Sequence, residues 1–413
     1  MTRSFRIAVL IASLVVLIAW QSACNYNNLA GYGTNGTVTG GTSSGATGLQ
    51  ERAFVSQQNP SSGAAGIQVV DAGKDLVALS SSTFAPFFVS LGGTLPEFMI
   101  PGANNTTLVF NAGDNGVSVV DNVKETLVGS EIQLPGPATS MVASTDGKFA
   151  YAAIPNLSEV VVIALTASPV TVTPISTPIP GANRLVLAHN NGKLLTFSND
   201  ANQVVVINTS DNSTTVLSGT GFDQPTFAVF SSDDSKAYIL NCGPECHGTQ
   251  ASITVLDMGS LTPGQNIPVD AATVGTADSS NLYIAGTNGT TGQGSATVIP
   301  LSSLTPGKPV AIGNGFHNVI SLFQNKVLIG AQTCTTGCLS IVDTGAGSAL
   351  VDPAKGDVTA IAPITPRTVF YAAEGGEVRV YDPSTGIEKT INGAPVIDIV
   401  GQVTGVVYVG PKT

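Results

Sequence analysis

"ASTDGKFAYAAIPNLSEVVVIAL", residues 143–165, sets two apolar runs on either side of a polar loop. Asp146-Gly147-Lys148 ahead of the first run supplies a tight turn, because Gly adopts the φ > 0 position such a hairpin needs. That run carries an aromatic, Tyr151, and the second run is the valine-rich "EVVVIAL". Continuous β-branched runs of this kind suit strands covered on both faces. The stretch is therefore either a single hairpin or one unit of something that stacks.

Its recurrence decides between them. "NNGKLLTFSNDANQVVVIN" spans 190–208, "QNKVLIGA" and "CLSIVD" lie within 324–343, and "PRTVFYAAEGGEVRVYD" spans 366–382. Upstream stand "NNTTLVFNAGDNGVSVVD" at 104–121 and "RAFVSQQNPSSGAAGIQVVD" at 52–71. The anchor positions Lys148, Lys193, Lys236, Asn281, Lys326 and Arg367 fall 41 to 45 residues apart. Self-similarity at that period marks stacked supersecondary units, and each unit supports four strands. The second strand carries Tyr151, Phe197, Tyr238, Tyr283 or Tyr371, and the third closes on Asp121, Asp257, Asp343 or Asp382. The fold class is all-β, a β-propeller of four-stranded antiparallel blades. Seven complete units run from about Glu97 to Asn392. The C-terminal "PVIDIVGQVTGVVYVG" (395–410) reads as a first and second strand, and the N-terminal segment as the later strands of the same blade. A ring of eight blades closed by both chain ends is expected, with seven as the alternative, because each end offers a candidate second strand.

The pattern "TDGKFAYAA…EVVVIAL" resembles the YVTN-type β-propeller repeat, in which "SPDGKYAYVAN…NTVSVID" recurs, over nearly all of 51–413. The single tryptophan is Trp20, so the Trp-Asp dipeptide of WD40 repeats is absent.

Composition agrees with many short strands. Charged residues are 10% of the 413, while Gly numbers 46 and Pro 24. Such a chain is too apolar for disorder and too interrupted for long helices. The formal charge of −11, with only 16 scattered Lys and Arg, argues against a nucleic-acid partner. At the N-terminus, Arg3 and Arg6 precede the apolar run Ile7 to Trp20, and "QSAC" follows at 21–24. A basic start, a short apolar run and small residues at a cleavage point form a secretory signal (1–23), and the run is shorter than the roughly 20 residues of a membrane span. The end resembles the lipobox of bacterial lipoproteins, which implies lipid on Cys24, although Gln21 stands where that pattern has Leu. Residues 24–50 read as a flexible tether to a propeller at 51–413. These readings place a monomeric protein on the bacterial cell envelope, with the lipid anchor as its link to the membrane.

Candidate chemistry lies at one end of the ring. The links between second and third strands are long, "NCGPECHGTQAS" and "GTNGTTGQGS" among them, and long loops on a rigid scaffold carry recognition. Cys242/Cys246 and Cys334/Cys338 sit in such loops, and in an exported chain each pair is expected to form a disulfide. Four thiols could instead hold zinc, and "CGPECH" with His247 is a stretched version of a haem-attachment motif. Glu97, Arg184, His317, Asp357 and Asp398 fall at or near the starts of first strands, where their side chains could meet a small polar ligand at the channel mouth. Ordinary polarity of a wet channel explains them too, and is the preferred reading. "SSTFAPFFVSLGG" (81–93) interrupts the repeat and reads as an extra packed strand or an apolar lip over the mouth. No nucleophile elbow, phosphate loop or zinc helix occurs. No catalytic residue, metal or cofactor is expected, and the chain reads as a binding or scaffold module for a protein or small polar ligand. The alternatives are a hydrolase or lactonase-like enzyme at the channel mouth, and a metal- or haem-carrying envelope protein.

Overall fold

The computed structural model describes residues 46–58, 65–81, 84–198, 201–335, 337–391 and 393–411. The expected signal, Cys24 and most of the expected tether lie outside them. Eight antiparallel sheets follow one another along the chain. Blade 2 begins at Pro96–Pro101, blade 3 at Ser140–Ala143, blade 4 at Ala182–Leu187 and blade 5 at Pro225–Phe230. Blade 6 begins at Val274–Ala277, blade 7 at Phe316–Phe323 and blade 8 at Val358–Ile364. Each first strand packs beside the next, and the set closes into a ring.

Blade 1 is built from both ends. Gln402–Gly410 is its innermost strand, followed outward by Arg52–Gln58, Ala65–Asp71 and an outer edge made of Leu76–Val77 and Phe88–Ser90. Arg52–Gln58 pairs on one side with Ala65–Asp71 and on the other with Gln402–Gly410, for example Val55 with Gln68 and with Val406. The expectation for 395–410 is corrected here. Val396–Ile397 is the outer strand of blade 8, and only 402–410 enters blade 1. Only one second strand, Arg52–Gln58, then competes for that place, which removes the case for seven blades.

The core lies between blades rather than at the centre. Among the described residues, eight apolar clusters each fill one interface between neighbours. Period-two alternation divides each second strand between two of them. Tyr151 faces blade 4 with Leu194, while Ala150 and Ala152 face blade 2 with Leu108 and Phe110. Burying a large apolar side chain stabilises by about 1.5–3 kcal/mol, so each interface contributes substantially to closure.

The recurrent polar residues are turn devices. Asp121 Oδ1 accepts from the backbone of Val123 (2.9 Å) and Lys124 (2.8 Å), and Asp343 does the same for Gly345 and Ala346. Asp146 accepts from Lys148 N at 3.0 Å, and Gly147 takes φ 71°. These side chains mimic a backbone turn and fix the hairpins.

Candidate binding face at the channel mouth

The loops that join second to third strands share one face with the links between blades. On that face the loop 242–251 of blade 5 is held from within and from outside. Cys242 and Cys246 form a disulfide across a one-turn 3-10 segment, Gly243–Cys246. The Asp223 carboxylate accepts from Thr249 Oγ1 (2.6 Å), Thr249 N (2.9 Å) and Gln250 N (2.7 Å). Burial alone would raise its pKa, but these donors outweigh that and hold it below the usual range.

A chain of hydrogen bonds then runs from blade 5 to blade 7. Glu245 Oε2 accepts from Thr273 Oγ1 (2.6 Å) and Thr287 N (2.9 Å), the first just before the first strand of blade 6 and the second at the end of its second strand, on the same face. Burial pushes the Glu245 carboxyl up despite both donors. Thr287 Oγ1 donates to Gly315 O at 2.6 Å and lies 3.3 Å from His317 Nδ1, while His317 Nε2 donates to Gly313 O at 3.0 Å. The His317 ring is buried, and desolvation lowers its pKa to about 4, so the imidazole is neutral. In blade 7, Cys334 and Cys338 close the second disulfide, and Thr333 N donates to Asp357 Oδ1 at 2.7 Å, tying that loop to blade 8.

Arg184 sits at the inner wall. Its guanidinium leaves blade 4, lies 5.2 Å over the Phe227 ring of blade 5 and donates from Nη1 to Thr273 O of blade 6 at 3.1 Å. Desolvation without a carboxylate partner lowers its pKa to about 10. Glu97 is exposed at the start of its strand, with enough protein around it to raise its carboxyl, and Asp398 is exposed in the link that enters blade 1. All five expected residues thus stand near first-strand starts. No hydrogen bond or ion pair among the described residues joins any two of them.

The metal and haem alternatives meet the same loops. The two cysteine pairs stand in blades 5 and 7, and each closes on itself. Cys334, Cys338 and Asp357 are the one set of three or more His, Cys, Asp and Glu among the described residues with ligand atoms within 4.8 Å of one another. With both sulfurs in a disulfide, no thiolate is present to coordinate an ion. His247 is exposed beyond the 3-10 turn.

A charged cluster on blades 7 and 8 went unread in the sequence. Glu374 is fully buried, and its Oε2 accepts from Tyr381 OH at 2.6 Å. Lys355 pairs with Asp352 (2.9 Å) and Glu388 (2.6 Å), and Arg379 with Glu388 (2.7 Å) and Glu377. Burial pushes the Glu374 carboxyl to about 7, against the Tyr381 hydrogen bond. Its Oε1 has no hydrogen-bond partner among the described residues. The interspersed charges of "AAEGGEVRVYD" were the available signal, but the partners come from 352, 355 and 388.

No family model matches the chain, and no curated protein matches it either. Solved structures do. The hydrazine synthase of Kuenenia stuttgartiensis is similar at 14% identity and TM-score 0.54, over 73% of this chain and 97% of that one. The dihydro-heme d1 dehydrogenase NirN, solved in complex with DHE, gives 14% and 0.60, over 88% and 75%. Apo AztD from Citrobacter koseri gives 12% and 0.57, over 88% and 98%. At these identities the likeness establishes the fold alone: the chain is an eight-bladed β-propeller.

Proposed function

We propose that this propeller is an exported, lipid-anchored protein of the bacterial envelope, built of YVTN-type repeats, that works as a binding or scaffold module through its long-loop face. The observation that carries the reading is the bracing of that face. Two disulfides and the Asp223, Glu245 and Asp357 contacts fix loops of blades 5, 6 and 7 that would otherwise be mobile. A pre-ordered surface loses less entropy on binding, so rigid loops suit recognition. Disulfides fit an oxidising compartment. The enzyme alternative gains less support, because the His317 imidazole is enclosed, with Nε2 held by Gly313 O and Nδ1 facing the Thr287 hydroxyl.

A photo-crosslinking residue placed at Gln250 or Thr290, both exposed on this face, is expected to give a discrete adduct in intact cells. The same residue at Asn190, exposed on the opposite face, is expected to give none. Equal labelling from both faces would remove the assignment. Incorporation of radiolabelled palmitate that survives Cys24→Ala would remove the anchor.

A further inference from the structure

The interruption at 81–93 does not reach the channel mouth. Phe88–Ser90 completes the outer edge of blade 1, and Phe87 is buried. Phe84, at the tip of the turn before it, is instead 72% exposed, the largest exposure among the large apolar side chains described. Phe84 N donates to Ser80 O and Ser80 N to Ala85 O, both at 2.8 Å, and these bonds fix the backbone that carries the ring. Leu76 and Leu79 on the same edge are also exposed, as is Val128 on the outer edge of blade 2. Outer strands of the two blades touch. Lys74 and Lys124 stand at the same end of this edge, 74% and 77% exposed. Their partners, Asp71 at 3.6 Å and Asp121 at 3.3 Å, are largely covered while the lysine ends are exposed; pairs at a surface are worth about 1 kcal/mol or less, so each ammonium group can also reach another anion.

The described chain enters the propeller at this edge. Thr47 Oγ1 donates to Glu125 at 2.8 Å, next to Lys124 in sequence, and Leu49 packs against the cluster of Ala78, Phe87 and Val89. If the roughly 22 residues between Cys24 and the described chain behave as their Gly/Ser-rich composition implies, their root-mean-square reach would be roughly 25 Å. That length would keep this edge near a bilayer and leave the opposite side of the ring away from it.

We infer that the outer edge of blades 1 and 2 is a membrane-apposed face, in which Phe84, Leu76, Leu79 and Val128 enter the headgroup boundary of an anionic lipid surface and Lys74 and Lys124 meet its phosphates. Apolar insertion combined with basic attraction is how a protein lies on a membrane without crossing it. The inference rests on the lipid-anchor reading, and the experiment separates the two. The full-length chain carrying W20F, so that an introduced indole is the sole tryptophan whether or not the leader is removed, is made with F84W or with Q265W. Gln265 is exposed on the outer strand of blade 5, across the ring.

Each protein is reconstituted with vesicles of phosphatidylethanolamine and phosphatidylglycerol containing brominated lipid. The mass of the N-terminal peptide reports lipid on Cys24. Quenching of the F84W indole about twofold or more above that of Q265W is expected, with K74E/K124E reducing the difference. Equal quenching with lipid present on Cys24 overturns the face and leaves the anchor standing. An unmodified Cys24 removes the anchor, while the quenching ratio still decides the face. Shielding of the F84W indole from acrylamide without quenching by brominated lipid assigns the edge to a protein partner or second copy and overturns the bilayer assignment.

Discussion

At the scale of the residue, two buried ionisable groups set opposite pH dependences. Glu374 titrates at about 7 in the folded protein against an ordinary 4.5. The native state therefore keeps a proton that the unfolded chain releases, and stability falls as pH rises from 4.5 to 7. His317 titrates at about 4 against an ordinary 6.5. Here the unfolded chain binds the proton, so stability is lost as pH falls from 6.5 to 4. The two slopes oppose one another between 4.5 and 6.5. In the E374Q variant the melting temperature is expected to rise across that window and to lose the decline that wild type shows from 6.5 to 7. A decline that persists in E374Q would assign it to another group. Neither environment was legible in the sequence. His317 could be placed at a strand start, but its enclosure depends on Thr287 and Gly313 in neighbouring segments. Glu374 is surrounded by side chains from three stretches of chain that only the register of blade 8 brings together.

At the scale of the element, hairpins and their turns were the legible part. Gly147 and the aspartates that close the third strands act within two or three residues of themselves, so local chemistry determines them. Cys242 with Cys246 and Cys334 with Cys338 are equally local, and their pairing followed from a spacing of four. A loop this small constrains the unfolded chain only modestly. The C242S/C246S double variant is expected to lose about 2 kcal/mol in urea denaturation. Its larger effect should be faster amide exchange over 242–251, with blade 5 strands unchanged. Exchange that stays slow would show that Asp223 and Glu245 suffice to hold the loop. The strands at 395–410 were misassigned because "PVIDIV" is apolar enough for an inner strand. Pairing of Val378 with Ile397 puts it at the outer edge instead, a contact from outside its own sequence neighbourhood.

At the scale of the whole molecule, period and composition were enough for the ring, and the two ends made eight blades the expectation. What they could not reveal is how the seam is held. Blade 1 is ion-paired to both neighbours. Arg52 donates to Glu125 (3.0 Å) and to Asn122 O of blade 2 with both side chains buried, and Arg367 of blade 8 grips Asp75, with Nη2 at 2.8 Å from Oδ2. Tyr371 OH adds a third donor to Asp75 at 2.6 Å. Removing one member of a buried pair strands the other charge, so R52M is expected to cost about 3–5 kcal/mol, and R52M/E125L to recover most of it. Equal losses in the single and double variants would show that the pair is worth more than apolar packing there. Deleting residues after Gly401 removes the innermost strand of blade 1. The truncated chain is expected to lose its cooperative melting transition and to aggregate, because Arg52–Gln58 becomes a long unpaired edge.

The same joint dictates an order of events. The second strand of blade 1 is synthesised near the beginning and its innermost strand near the end, so the latch engages only after hundreds of residues have passed. Until then the circle is a spiral with two open lips, and a chain threaded through a translocation pore in N-to-C order cannot complete it prematurely. On the export route proposed above, the ring would close only after its last strand had crossed, in the compartment where the cysteine pairs would also meet an oxidant.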